Sequence, residues 1–215
     1  MKKKIAFALI AIAAVVMVYT YCNRISDYNG IDISHHNDIN WATIAKKSNI
    51  KFVYIKATEG ASYVDNKFLE NVKNANRINL HVGAYHYFKT DVTGIQQFEN
   101  FSKILDQAKF DLIPVIDVEK KGNNFSNKER VQKELKTLID LLTKKYGKKP
   151  IVYLGNFVPQ VLSVTYHCPF WIRTMEFSNL VPKVTIKQIG YANIGVGGTQ
   201  IDADYCYDIK NIMLK

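Results

Sequence analysis

Cysteine is scarce in this chain, with three among 215 residues, at 22, 168 and 206. None stands at a metal-ligand spacing, so nothing supports a cysteine-based metal site or a cysteine nucleophile. Gly-x-Ser-x-Gly is absent, which argues against serine-hydrolase chemistry. No Gly-x-Gly-x-x-Gly follows the first apolar strand, which disfavours a dinucleotide. There is no internal repeat and no low-complexity tract. Acidic side chains are the minority, 19 against 29 basic, for a formal charge of +10. Such a charge suits anionic surfaces, whether cell-wall polymer, nucleic acid or acidic lipid, without choosing among them. No basic stretch is interleaved with aromatics, so nucleic acid is not an expected partner. Lys144-Lys145 and Lys148-Lys149 flank Gly147 and read as a solvated helix end.

What is present is a chain that is 47% apolar and suits one domain. A domain of this size buries about 70% of its unfolded surface. The first 22 residues read as a targeting segment. Lys2-Lys3-Lys4 precedes an uncharged run from Ile5 to Tyr21, of marginal length for the roughly 17–25 residues a bilayer span takes. The basic end should stay in the cytoplasm, which places the remainder outside it. The segment is expected to act as a cleaved signal or as an uncleaved membrane anchor, and Cys22 adds a lipoprotein alternative. Residues 23–29 form a polar linker and 30–215 the folded domain. Cys168 and Cys206 are expected either as a disulfide or as two buried thiols.

Strands and helices then alternate. Strands are expected at 30–34, 52–57, 81–87, 112–119 and 151–154, with helices at 40–48, 66–78, 93–108 and from a capping box at Ser126-Asn127-Lys128-Glu129 to Gly147. A short helix is expected at 158–162. Three further strands, 170–174, 184–189 and 199–203, follow without a long helix between them. The pattern predicts an α/β fold: a TIM-like flattened barrel of about five β/α units closed by three further strands, with an open doubly wound sheet as the alternative.

Pro114-Val115-Ile116-Asp117-Val118-Glu119 is an apolar run carrying two acids spaced by two, hence on one face of a strand. Two ionised carboxylates in a core would be unsolvated and mutually repelling. The mouth of an α/β barrel relieves both problems, since functional residues gather there at the carboxyl ends of strands. Asp32 and Asp202 are expected at or near such ends as well. Four acids at one mouth should keep one protonated near neutrality, beside carboxylates that stabilise positive charge. That pairing is what glycosidic cleavage requires. Tyr54, Tyr85, Tyr87, Phe88, Tyr153 and Trp171 near strand ends suggest a groove whose rings stack on sugars. His35-His36 and His86 raise a metal alternative, but adjacent histidines on a strand face opposite ways and no His-x-His spacing occurs. No metal and no cofactor is expected.

These motifs resemble glycoside hydrolase family 25, the bacterial and phage lysozymes that act as N-acetylmuramidases. The resemblance rests on Gly30-Ile31-Asp32-Ile33-Ser34-His35, Asn37-Asp38-Ile39-Asn40-Trp41, and Phe52 through Gly60 with Tyr63-Val64-Asp65. Asn74-Ala75, Gly83-Ala84-Tyr85-His86-Tyr87-Phe88 and the acidic strand at 114–119 continue it, over about residues 29 to 208. It implies the same flattened barrel and hydrolysis of the β-1,4 bond between N-acetylmuramic acid and N-acetylglucosamine in peptidoglycan. It also implies that Glu119 is the general acid and that Asp117 orients the substrate N-acetyl group or stabilises charge, while Asp32 and Asp202 line the cleft. Lys56, Glu59, Tyr85, Tyr87, Tyr153 and Trp171 become the substrate-binding candidates. The expected partner is the peptidoglycan glycan strand, met outside the cytoplasm by a monomer. The chain departs from the family at Asn37, where Gln is frequent, at Lys187-Gln188-Ile189, where Trp-Gln-Tyr is frequent, and at Asp204, where Asn is frequent. A non-catalytic peptidoglycan-binding protein and a hydrolase of another polysaccharide are the alternatives.

Overall fold

Strand β1 (Gly30–Ile33) pairs in parallel with β2 (Phe52–Glu59), and that pairing closes the sheet on itself. The computed structural model describes residues 28–155, 159–173 and 181–215. The targeting segment at 1–22, residues 23–27 of the linker, and the expected element ends at Val158 and Thr174 lie outside the described residues. From β2 the sheet continues through β4 (His81–Tyr87), β5 (Val115–Asp117), β6 (Ile151–Leu154), β7 (Phe170–Arg173) and β8 (Val184–Asn193), all in parallel. Strand β9 (Gln200–Cys206) runs antiparallel to both β8 and β1 and completes the barrel. The ring excludes the doubly wound alternative. A short β3 (Tyr63–Val64), not foreseen in the sequence, hangs antiparallel on the end of β2.

The helices are α1 (Trp41–Ala45), α2 (Phe68–Arg77), α3 (Gly94–Leu105), α4 (Lys128–Tyr146) and α5 (Leu162–Thr165). Strand alternation divides the apolar residues into two cores. Val53 and Ile55 point outward with Val82, Ala84 and Ile116 and meet Phe68 and Val72 of α2, Phe101 and Leu105 of α3, and Leu135 and Leu138 of α4. Phe52 and Tyr54 point inward and fill the barrel with Val115, Tyr153, Trp171, Ile186 and Cys206. Fitting those rings requires missing side chains opposite them. A Cβ on Gly30 would stand 2.0 Å from the Phe52 ring, and one on Gly83 would stand 2.2 Å from Tyr54.

Several boundaries differ from expectation. The cap of α4 is Asn127, whose side chain accepts from the Arg130 backbone N–H at 3.1 Å, so no capping box forms at Ser126. The Ser126 N–H is taken instead by Asn124 Oδ1 at 2.9 Å. A capping box does occur at Thr93 and Gln96, opening α3. Gly147 closes α4 in the left-handed conformation, φ 73°. Cys168 and Cys206 are both buried free thiols, one in the outer core and one inside the barrel. Tyr54 and Phe88, read as groove aromatics, are fully buried core residues. Among the described residues, no helix is long and apolar enough to cross a membrane.

Candidate active site

The mouth of the barrel holds a cleft of about 220 Å³ lined by Asp32, Asp117, Glu119 and Asp202, with Tyr85, Tyr153, Trp171, Gln188 and Tyr191 among its walls. Asp117 ends β5 and Glu119 lies two residues on, so strand alternation turns both toward the opening. The main chain there is pinned. The Asp117 carbonyl accepts from Phe88 N at 2.9 Å, the Val118 N–H reaches Tyr153 O at 3.0 Å, and Asn123 Nδ2 donates to Glu119 O at 3.0 Å.

Asp32 and Asp202 are direct cross-strand partners between β1 and β9. Asp202 does not sit at a carboxyl end as the sequence reading had it. Strand β9 is antiparallel to its neighbours, so its third residue, near the amino end, is the one that reaches the mouth.

The remaining wall is aromatic and polar. Trp171 and Tyr153 are Cα partners, and their rings meet edge to face at 5.2 Å. Both are nearly sealed, so they floor the cleft, while Tyr191 stands 45% exposed at its rim. Tyr153 donates its hydroxyl to Gln188 Oε1 at 2.9 Å, and Gln188 Nε2 donates to Asp32 Oδ2 at 2.9 Å. Arg173, at the end of β7, brings a cation to the lining and reaches the Tyr191 hydroxyl at 3.3 Å.

This crowding changes the acids. Burial raises the Glu119 carboxyl above its ordinary range, while the charges of Arg173, Lys121 and Lys56 pull it back. Asp117 is pushed further up, by burial first and then by Glu119 and Asp32. Its buried Oδ1 has no hydrogen-bond partner. Asp32 is pushed up to about 8, by burial and then by Asp202, against the hydrogen bond from Gln188. Asp202 is raised by burial and lowered in turn by Arg173. The site therefore keeps protons at neutral pH and presents a half-open carboxyl, Glu119, beside deeper ones.

Seven of the ten residues proposed from sequence meet in this lining: the four acids with Tyr85, Tyr153 and Trp171. Lys56, Glu59 and Tyr87 form a neighbouring cluster instead. Lys56 Nζ bridges Glu59 at 2.8 Å and lies 5.1 Å from the Tyr87 ring centre, and the Tyr87 hydroxyl donates to Lys121 O at 2.6 Å. From there the Lys56 charge still acts on Asp117 and Glu119. Arg173 and Tyr191 were missed by the sequence reading. Neither falls in a recognisable motif, and Tyr191 is brought to the site by pairing with Asp202 across the β8–β9 hairpin. The histidines have other partners. His35 Nδ1 meets Asp65 at 2.8 Å, and buried His86 lies between Thr58 Oγ1 at 2.8 Å and Gln97 Oε1 at 3.0 Å. Burial lowers His86 to about 4, so it is a neutral core residue.

Residues 31–189 match the sequence profile of Glycosyl hydrolases family 25. The chain belongs to that family. The structure of a family 25 glycosyl hydrolase from Bacillus anthracis superposes with a TM-score of 0.68 at 36% identity, covering 85% of this chain and 89% of that one. The protein YegX of Escherichia coli is 34% identical over 158 residues, covering 67% of this chain and 55% of YegX. The autolytic lysozyme of Clostridium acetobutylicum is 28% identical over 166 residues, covering 75% of this chain and 49% of the lysozyme. The chain thus spans about half the length of the curated relatives it matches.

Proposed function

We propose that this protein is a lysozyme of the N-acetylmuramidase type, hydrolysing the β-1,4 bond between N-acetylmuramic acid and N-acetylglucosamine in peptidoglycan. The observation that carries this reading is the convergence of Asp32, Asp117, Glu119 and Asp202 on one aromatic-walled cleft. Family membership and the likeness to the autolytic lysozyme support it.

Glu119 is the general acid. Burial shifts its carboxyl toward the protonated form, and it stays open enough to meet a glycosidic oxygen. As the bond to the leaving sugar breaks, the anomeric centre gains oxocarbenium character, and the surrounding carboxylates stabilise it. Asp117 Oδ1 is buried without a donor, and the N–H of a substrate acetamido group supplies one. Tyr191 and Tyr85 offer ring faces, with polar tips, to the sugars. The peptidoglycan strand is met outside the cytoplasm by a monomer, held at the membrane by residues 5–21 or released by cleavage after them.

Product analysis of purified peptidoglycan incubated with the protein, beside Glu119→Gln, tests the proposal. New reducing ends on muramic acid, absent with the variant, are the expected outcome. Wild-type turnover in Glu119→Gln removes Glu119 as the acid. Intact glycan strands with a folded wild-type protein favour a binding module, and cleavage of chitin oligosaccharides alone a different polysaccharide.

A further inference from the structure

A fifth carboxyl lies beneath the cleft, outside its lining and unused by the chemistry above. Asp204 is fully buried, 0% exposed, and neither of its oxygens has a hydrogen-bond partner. The Trp171 indole N–H is likewise buried without a partner. An ionised carboxylate in such a place is costly, because it has lost water and gained no donor.

The register explains where it points. Asp204 follows Asp202 by two on β9, so it faces the same way one step deeper in the barrel. Its partner on β1 is Gly30, which has no side chain, and its partner on β8 is Gln188. Asp32, two residues beyond Gly30, is its diagonal neighbour across the β1–β9 pair, within side-chain reach. The register sets the Asp204 and Asp32 carboxyls side by side, and the Asp32 charge acts directly on Asp204. Two neighbouring carboxyls with one of them sealed from water cannot both ionise, so one carries a proton.

We propose that Asp204 is a positioning residue for Asp32: it stays neutral beneath the cleft and donates its O–H to the Asp32 carboxyl, which Gln188 holds from the other side. The roles are decided by the donors available. Asp32 already accepts from Gln188 Nε2 at 2.9 Å, and Gln188 is itself oriented by Tyr153 at 2.9 Å. Asp204 has no comparable donor. Burial and the adjacent Asp32 and Asp202 charges raise it well above the ordinary range. With a Gln188 donor on Asp32 and none on Asp204, Asp32 is the member that ionises first. Of the other titratable groups facing this pair, Glu119 raises Asp32 further, while Tyr54 on β2, Tyr85 on β4, Tyr153 on β6 and Cys206 on β9 are themselves raised by burial and stay neutral. Loss of the Asp204 proton at higher pH puts a second negative charge against Asp32 and withdraws the donor that orients it.

The kinetic arm of the test rests on the muramidase reading; the other two arms do not. Asp204→Asn keeps a donor toward Asp32 without the ionisation, while Asp204→Leu removes the donor. In the full chain, the infrared carbonyl band of a neutral carboxyl should persist in wild type at neutral pH and lose one component in Asp204→Asn. Wild type folds with a proton that the unfolded chain has released, so its stability falls as pH rises above the ordinary aspartate range. The melting-temperature advantage of Asp204→Asn should therefore widen with pH. On peptidoglycan, Asp204→Leu should lose turnover at every pH. Asp204→Asn should recover it. An unchanged carboxyl band in Asp204→Asn at neutral pH overturns the proposal, as does wild-type turnover in a folded Asp204→Leu. If Asp204→Leu does not fold, the Asn comparison still decides. If wild type cleaves no peptidoglycan, the band and the melting curves still report on Asp204.

Discussion

Gly155, the residue after β6, lies against Glu119, the proposed general acid, and replacing it with alanine should damage catalysis while sparing the fold. A Cβ built there stands 2.5 Å from Glu119 Oε1, 2.7 Å from Tyr153 Cε1 and 2.8 Å from Tyr153 Oη. Ordinary contact begins at 3.4 Å, so roughly 0.9 Å of movement is needed on the Glu119 side. Tyr153 cannot easily yield, because its hydroxyl is bound to Gln188 and its ring packs on Trp171. The Glu119 carboxyl ends in an open cleft and is the group that gives way. A misplacement of about 1 Å in a catalytic group costs on the order of 100-fold, or about 2.7 kcal/mol of barrier. Gly155 is not among the glycines with positive φ, so the alanine backbone itself is unstrained. We expect turnover on purified peptidoglycan to fall by about two orders of magnitude. The two Tyr153 contacts must open as well, so unfolding free energy should fall by about 1–3 kcal/mol with the fold retained. Turnover within about twofold of wild type, with the variant folded, would refute the reasoning. So would outright unfolding, which would mean that Tyr153 and not Glu119 had been displaced.

The other predictions concern charge and capping. Arg173→Ala removes a cation that lowers both Glu119 and Asp202. With Glu119 raised further, the acid keeps its proton to higher pH, so the alkaline limb of the turnover profile should move up; a downward shift would contradict the electrostatic picture. Asn127→Ala removes the acceptor for Arg130 N–H and should cost about 1 kcal/mol by chemical denaturation, whereas Ser126→Ala should cost nearly nothing. The reverse order would restore Ser126 as the cap.

The barrel was readable from sequence because its grammar is local. Apolar strands of four to eight residues alternate with helices whose stripes repeat at helical spacing, as in Val131, Leu135, Leu138 and Leu142 of α4. The acids were readable because they break an apolar pattern: two carboxyls in Val115–Glu119 are too costly for a core. Tyr54 and Phe88 misled for the converse reason. A lone aromatic at a strand end looks the same whether the mouth or the core receives it, and packing alone placed both inside. The cap of α4 shifted by one residue because Ser126 and Asn127 are both good caps, and local geometry chose the second.

Sequence alone determined the order of elements, the family motifs and the four acids, since each follows from residue type and spacing along the chain. Tertiary structure decided what depends on ring closure. The antiparallel return of β9 carries Asp202 to the mouth from its amino end, pairs it with Asp32 and Tyr191, and lodges Asp204 below them. It also set Lys56, Glu59 and Tyr87 beside the cleft and Arg173 within it. The relations that close the ring join residues as distant as Gln188 and Asp32, 156 positions apart, and no periodicity along the chain encodes them.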